Sequence, residues 1–439
     1  MAARLLALLL VVAGCSPRAP VRISTAVQGL AAGAGALVVL HVLADGEGTS
    51  IRGAAAELGG RLYWLAGERG PAATTGCAST ANWNTVEHKA HCPGSLVSIA
   101  LDGADFRVDH GFDWLDDVGQ NSDGYHPYGS PAAAGDCIVG VTQVGGRPVG
   151  AGVEATAARG VGTLWRYCPA AGDFAVLHNF FAVPRALDGE YPMGTPAALP
   201  DGRVCGTAKG GGTANMGTVW CWSPTAFVYA SLTAAAGVPY GGATYSPGDG
   251  LLHLITNEGG ANGVGAYVTV DPTTMAIAVI GSFPAFVMPG HANDNTPIQA
   301  PTLLSDGSLV VAREFGGARG SGLVARLSPA GITVLKEMQD VAIEAVPRFA
   351  NATGGMPNGG LAELPSGLIV GAATYGGEHG AGGIYTLGAT VRLVHSFDPG
   401  GPSYPYGGLT TASTGAVYGS TFNGSVLFKL DLPRESCAP

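Results

Sequence analysis

The chain is poor in charge. Of its 439 residues only 22 are Lys or Arg and 32 are Asp or Glu, 12% in all, where globular proteins average about 25%. The basic residues are scattered and outweighed, leaving a net charge of -10, which excludes a basic nucleic-acid surface and argues against long charged helices or a coiled coil. No run reaches the ~18 apolar residues of a membrane-spanning helix. Glycine follows no strict every-third period, so collagen is excluded. Several enzyme signatures are missing: there is no G-x-S-x-G, no Walker A glycine-lysine loop, no H-E-x-x-H and no G-x-G-x-x-G. What the chain has is glycine, 71 residues or about 16% against a usual ~7%, in a background that is 46% hydrophobic. That is apolar enough to bury a large core and too apolar for disorder. The composition describes a glycine-punctuated, all-β body.

A short apolar pattern recurs as Val39-Leu40-His41-Val42-Leu43, Val108-Asp109-His110-Gly111-Phe112, Val176-Leu177-His178-Asn179-Phe180 and Leu393-Val394-His395-Ser396-Phe397, with degenerate copies starting at Val228, Val279 and Val334. The seven copies lie 69, 68, 52, 51, 55 and 59 residues apart, a period that marks a repeat architecture. Each is followed by a proline-containing element such as Pro127-Tyr128-Gly129, Pro239-Tyr240-Gly241-Gly242 or Pro405-Tyr406-Gly407-Gly408, then a turn and a strand such as Gly202 to Thr207. A glycine pair such as Gly259-Gly260 or Gly376-Gly377 comes next, and then a further strand such as Gly217-Thr218-Val219-Trp220. Four short strands per unit and seven units predict an all-β, seven-bladed β-propeller with four-stranded blades over residues 37–439. With the recurring strand outermost, Val38 to Leu43 completes the last blade. That N-terminal strand then ties the chain ends together and removes the open sheet edges.

These units resemble the Gloeobacter/Verrucomicrobium-type tandem repeat, the GloVer repeat, which reads roughly VLHSF, PYGGL, LYGTT, GG and GTVFKL. The unit from His395 to Leu430 matches closely, and the resemblance spans residues 38 to 432, with units 1, 4, 5 and 6 drifted and unit 1 interrupted. It implies a propeller-like surface or envelope repeat and no particular reaction. At the other end, Arg4, the apolar run Leu5 to Val12 and Ala13-Gly14-Cys15 form the three regions of a signal peptide. Leu10 to Cys15 resembles the lipobox of bacterial lipoproteins, which implies removal of residues 1–14 and acylation of Cys15, an anchor far stronger than a single chain. Ser16 resembles the signal for outer-membrane sorting. An ordinary secretory signal ending in cysteine is the alternative. Residues 15–36, rich in Ala, Gly and Pro, read as a flexible tether. The expected protein sits in the cell envelope, at the outer membrane, touching lipid only through its anchor and remaining monomeric.

The eight cysteines carry register information. Aligning Trp165 with Trp220 puts Cys137 and Cys168 in the same antiparallel register as Cys205 and Cys221, so both pairs are cross-strand neighbours within disulfide reach in an oxidising compartment. Cys77, His88, His91 and Cys92 have the side chains of a zinc site, but their spacing is not a standard one and a Cys77–Cys92 disulfide is the preferred reading. Cys437 is left over.

Alternating strand directions put two connections of each unit on one face and two on the other. The turns of one set are short, as at Pro200-Asp201-Gly202 and Ser305-Asp306-Gly307, whereas the long insertions at residues 70–93, 115–126, 143–160, 182–190, 284–296 and 339–355 all belong to the second set. That elaborated face is the expected working face. The residues after the proline that leads into each innermost strand form a ring around the channel mouth: Arg52, Tyr128, Met193, Tyr240, Ile298, Asn358 and Tyr406. Arg52, Tyr128, Tyr240, Asn358 and Tyr406 are candidates to stack on and hydrogen-bond a glycan, with a peptide or an envelope protein as other partners. The tyrosines packing the neck between blades is the alternative. His126, Tyr128 and Arg52 are the candidate catalytic groups if the propeller is instead a polysaccharide lyase or hydrolase. The repeated histidines 41, 110, 178 and 395 are read as structural. Asp113, Asp116, Asp117 and Asp123 offer oxygen ligands for Ca2+ but match no defined motif, so no metal or cofactor is expected.

Overall fold

A computed structural model describes residues 36–432 apart from 75–91, 117–118, 148–159, 181–186, 286–298, 318–319, 321, 339–354, 356 and 389–390. Seven antiparallel sheets follow one another along the chain, each traversed from its innermost strand outward. In the first blade Thr49–Ile51 and Ala56–Leu58 share the innermost place, followed by Arg61–Glu68, Ser95–Ala100 and Arg107–Gly111. Blades two to six occupy residues 125–179, 197–231, 244–282, 302–337 and 362–396. The seventh is made of Thr410–Thr411, Val417–Ser420 and Val426–Asp431. Its outermost strand is Ala36–Val42, paired antiparallel with Val426–Asp431 from Ala36 opposite Asp431 to Val42 opposite Val426. The molecule is the seven-bladed β-propeller that the repeat order predicts, closed by its N-terminal strand.

Several recurring letters of the repeat have a contact behind them. In four blades an aromatic residue of the third strand stands opposite a glycine of the second: Trp165 and Gly140, Trp220 and Gly206, Tyr385 and Gly371, Phe428 and Gly419. A Cβ added to those glycines would lie 2.2–2.6 Å from the facing ring, so the glycine opens the space that the ring fills. The glycine preceding the third strand packs on the proline of the following blade, as Gly94 on Pro127, Gly162 on Pro192, Gly217 on Pro239, Gly322 on Pro357 and Gly382 on Pro405, where an added Cβ would be 2.5–2.9 Å from the proline ring. The histidine of the outermost strand stacks on a phenylalanine of the next blade: His41 on Phe106, His110 on Phe174 and His178 on Phe227, with ring centres 3.6–3.7 Å apart. Each of these three points Nε2 at a carboxylate, Glu47, Asp123 and Asp188 respectively, at 2.8–3.0 Å. These histidines join blades around the rim of the disc and do not converge.

Around the axis the seven chain segments nearly touch. A Cβ on Gly53 would lie 2.1 Å from the Gly129 carbonyl oxygen, one on Gly129 2.5 Å from that of Met193, one on Gly194 2.2 Å from the Gly242 nitrogen and one on Gly359 2.6 Å from the Gly407 oxygen. In the fifth blade Gln299 takes the place of this glycine. Its side chain crosses to the first two blades, accepting from Ser130 Oγ at 2.7 Å and donating Nε2 to the Arg52 carbonyl at 2.9 Å. Glycines and Gln299 therefore form a waist. Below it, towards the short-turn face, lies a cavity of about 500 Å³ to which all seven blades contribute small residues such as Ala54, Thr195, Ala198, Thr244, Thr302 and Thr410. Hydroxyls here link neighbours, Thr302 donating to the Leu361 carbonyl and Thr410 to that of Ala55, each at 2.8 Å.

Two disulfides close in the shared register, Cys137–Cys168 and Cys205–Cys221. The latter residues are directly opposed, and Cys137 directly precedes Ile138 while Cys168 directly follows its partner Tyr167. Cys92 is buried; Cys15, Cys77, His88, His91 and Cys437 lie outside the described residues.

Two outcomes follow for stability. Gly242 and Gly248 both have ordinary backbone angles, but a Cβ on Gly242 would sit 1.8 Å from the Thr195 carbonyl oxygen, while on Gly248 it would meet nothing closer than 3.7 Å. Gly242→Ala is expected to destabilise by about 3 kcal/mol through overpacking, and Gly248→Ala by less than about 0.5, as read from urea unfolding; equal effects would remove the waist as a packing constraint. The second concerns His395, which lacks the phenylalanine stack because Leu37 takes that place in the seventh blade, and whose Nδ1 has no partner among the described residues. Burial pushes its pKa down to about 4. Between the ordinary value near ~6.5 and that folded value the unfolded chain binds a proton that the folded one refuses, so stability is full above the window and falls as pH drops through it. A loss on the order of 2 kcal/mol between pH 6.5 and 4 is expected from this group. His395→Asn should flatten that part of the profile, and an unchanged slope would show that other groups produce it.

Candidate functional site

The mouth above the waist is built by the segments that lead into the innermost strands. Arg52, Tyr128, Met193, Tyr240 and Tyr406 meet there: Tyr128 and Met193 are buried, and Tyr191, Tyr240 and Tyr406 pack on them. Arg52 donates Nη1 to the Tyr128 hydroxyl at 2.9 Å, and its guanidinium carbon lies 5.1 Å from the Tyr128 ring centre and 5.7 Å from that of Tyr406. One cation thus bridges two rings from neighbouring blades on either side of it, an arrangement strengthened by exclusion of water. Lys209 places Nζ 4.1 Å from the Tyr240 ring centre. Burial, and after it the charge of Glu314, pushes the Tyr406 hydroxyl well above the usual tyrosine range, so it stays protonated and able to donate. Asn358 is only 2% exposed and donates Nδ2 to Thr374 Oγ1 at 3.3 Å; it belongs to the wall of the sixth blade. Ile298 lies outside the described residues.

His126 is 4% exposed and faces Gln143 Oε1 through Nδ1 at 2.8 Å, while Nε2 is 3.8 Å from Glu68 Oε1. Its ring centre is 5.8 Å from that of Tyr128. The three candidate catalytic side chains, His126, Tyr128 and Arg52, are therefore brought together, with Glu68 and Gln143 as orienting neighbours. Gln143 also lies against the sulfur of Met193, at 3.6 Å. The acidic loop behaves differently. Asp123 is buried and taken up by His110 and the Asp113 amide, and Asp116 accepts from the Gln120 amide at 2.8 Å; Asp117 lies outside the described residues. Among the described residues no three His, Cys, Asp or Glu side chains are placed to hold a metal ion.

A second set of mouth residues comes from the position just before the innermost strand's proline, or before Ile51 in the first blade. Ser50, His126, Tyr191 and Tyr404 all have φ between 56° and 59°, the left-handed region that non-glycine residues rarely adopt. This recurrent strain turns His126, Tyr191 and Tyr404 into the mouth. Tyr404 meets Tyr375 edge to face at 5.6 Å, and Tyr406 meets Phe422 at 6.3 Å. Composition and repeat alignment gave no sign of Tyr191, Tyr375, Tyr404, Phe422, Glu68, Gln143 or Lys209, because the alignment followed the position after the proline.

No protein family and no curated protein matches the chain. Solved structures do. An oligogalacturonate lyase in complex with manganese is 13% identical over 94% of this chain and 96% of its own, with a TM-score of 0.50. An oligogalacturonate lyase from Vibrio parahaemolyticus is 10% identical over 94% and 98%, with a TM-score of 0.47, and a gluconolactonase from Xanthomonas campestris is 13% identical over 93% and 95%, with a TM-score of 0.41. At such identities the likeness is one of fold, and sites on a shared fold vary freely.

Proposed function

We propose that this chain is an envelope-anchored lipoprotein of the GloVer repeat type, whose propeller is a binding module that takes a glycan at the aromatic mouth of its elaborated face. The signal-like residues 1–14 and Cys15 support the anchor, at the outer membrane, with residues 15–36 as tether. The observation that carries the binding reading is Arg52 held between the Tyr128 and Tyr406 rings. The partly exposed Tyr240 and Tyr406 rings offer stacking surface for a sugar's apolar face, and the fixed hydroxyls and guanidinium offer hydrogen bonds to its polar edge. Gln299 closes the floor of the mouth, so a ligand would rest on the disc and not thread through it.

A second reading is favoured by one specific set of contacts. His126, oriented by Gln143 and close to Glu68, stands beside Tyr128 and Arg52, a general acid/base group next to a hydroxyl donor and a cation. In that reading the same mouth belongs to a polysaccharide lyase or hydrolase.

The test is a panel of glycans and peptidoglycan fragments applied to the full chain and to a Tyr128→Ala/Tyr240→Ala/Tyr406→Ala variant, with product analysis alongside. Binding by the parent that weakens at least about tenfold, or about 1.4 kcal/mol, in the variant is the expected outcome. Equal binding by the two proteins removes the tyrosines from the site. Chain cleavage abolished by His126→Gln, with binding retained, would replace the binding module by the enzyme.

A further inference from the structure

The mouth aromatics form a graded series. Phe422, on the connection between the second and third strands of the seventh blade, is 49% exposed, the most exposed large apolar side chain among the described residues. Its ring centre is 6.3 Å from that of Tyr406; the Arg52 guanidinium is 5.7 Å from Tyr406 and 5.1 Å from Tyr128; and Tyr128 is 5.8 Å from His126. Exposure falls along this path to 9% at Tyr128 and 4% at His126. The Tyr375–Tyr404 pair flanks its outer end, with Tyr404 held at φ 57° and its carbonyl accepting from the Phe422 amide at 2.9 Å. An exposed phenylalanine has no packing reason to be on a loop tip. It is accounted for if the path is a binding surface. The chemistry of the path alternates faces that stack with hydroxyls and a guanidinium that hydrogen-bond, as a chain of linked sugars requires.

Building on the glycan reading above, we infer that the ligand is an oligosaccharide lying along this track, with Phe422 and the Tyr375–Tyr404 pair forming an outer subsite for a sugar ring beyond the one held at Arg52 and Tyr128. Affinity then rises with chain length, and the outer aromatics supply the rise without touching the innermost ring. The probes are cello- and chito-oligosaccharides of one to five rings, titrated calorimetrically against the full chain, Phe422→Ala, Tyr404→Ala and Tyr229→Ala. Tyr229 is an exposed aromatic on the outermost strand of the third blade and controls for loss of a surface ring. The expected result is about a tenfold gain in affinity between one ring and four in the parent and in Tyr229→Ala, with most of that gain lost in Phe422→Ala and Tyr404→Ala while the weak single-ring affinity is unchanged. Equal affinity for all lengths, or the same gain in Phe422→Ala, overturns the track and leaves the glycan reading standing. Failure of every length to bind the parent overturns the track, and the glycan reading falls with it only if the wider panel above also fails to bind.

Discussion

The structure depends on how closely seven chain segments can approach one axis. Backbone meets backbone at the waist with no room for a Cβ at Gly53, Gly129, Gly194, Gly242 or Gly359. Close approach is what glycine permits and any other residue prevents. From that constraint the rest follows outward. Blades this close at the centre diverge towards the rim, and the wedge between them is filled in order by Gly–Pro contacts, by third-strand aromatics buried over facing glycines, and by His–Phe stacks. The high glycine content is the signature of that packing and not of flexibility.

The same constraint makes the site. A waist of glycines with one glutamine across it cannot be a pore, so the axis is divided into a cavity lined mostly by small residues on the short-turn side and an aromatic mouth on the other. The residues just before the waist converge because five of the blades deliver Arg52, Tyr128, Met193, Tyr240 and Tyr406 there. What converges is unusual in kind: tyrosines, an arginine bridging two of them, and a histidine and two further tyrosines in or beside strained backbone. Packing alone is satisfied by aliphatic side chains at such positions, as Met193 shows.

Legibility from sequence differed by scale. The histidine strand, the PYG element and the glycine pair recur visibly, so blade number and circular closure could be read by counting. Register was readable where cysteines marked it, because opposed positions on antiparallel strands are fixed by arithmetic. The ring of Arg52, Tyr128, Met193, Tyr240 and Tyr406 was also readable, as a repeat position. Tyr191 and Tyr404 were not, because a left-handed residue before a proline has no sequence mark. Glu68, Gln143 and Lys209 come from second strands or the connections after them, and only the sheet pairing puts these opposite the mouth. Gln299, which the repeat pattern did not single out, is the side chain that spans the axis.

The order of residues by itself determined the number of blades, the sharing of the last blade between the two ends, the face that carries the long connections and the pairing of Cys137 with Cys168 and Cys205 with Cys221. These are consequences of local periodicity, which a chain carries in one dimension. Tertiary structure alone decided the division of the channel at Gln299, the bridging of Tyr128 and Tyr406 by Arg52, and the descent from exposed Phe422 to buried His126. Those depend on distances between segments up to hundreds of residues apart in sequence, and such distances exist only once the ring has closed.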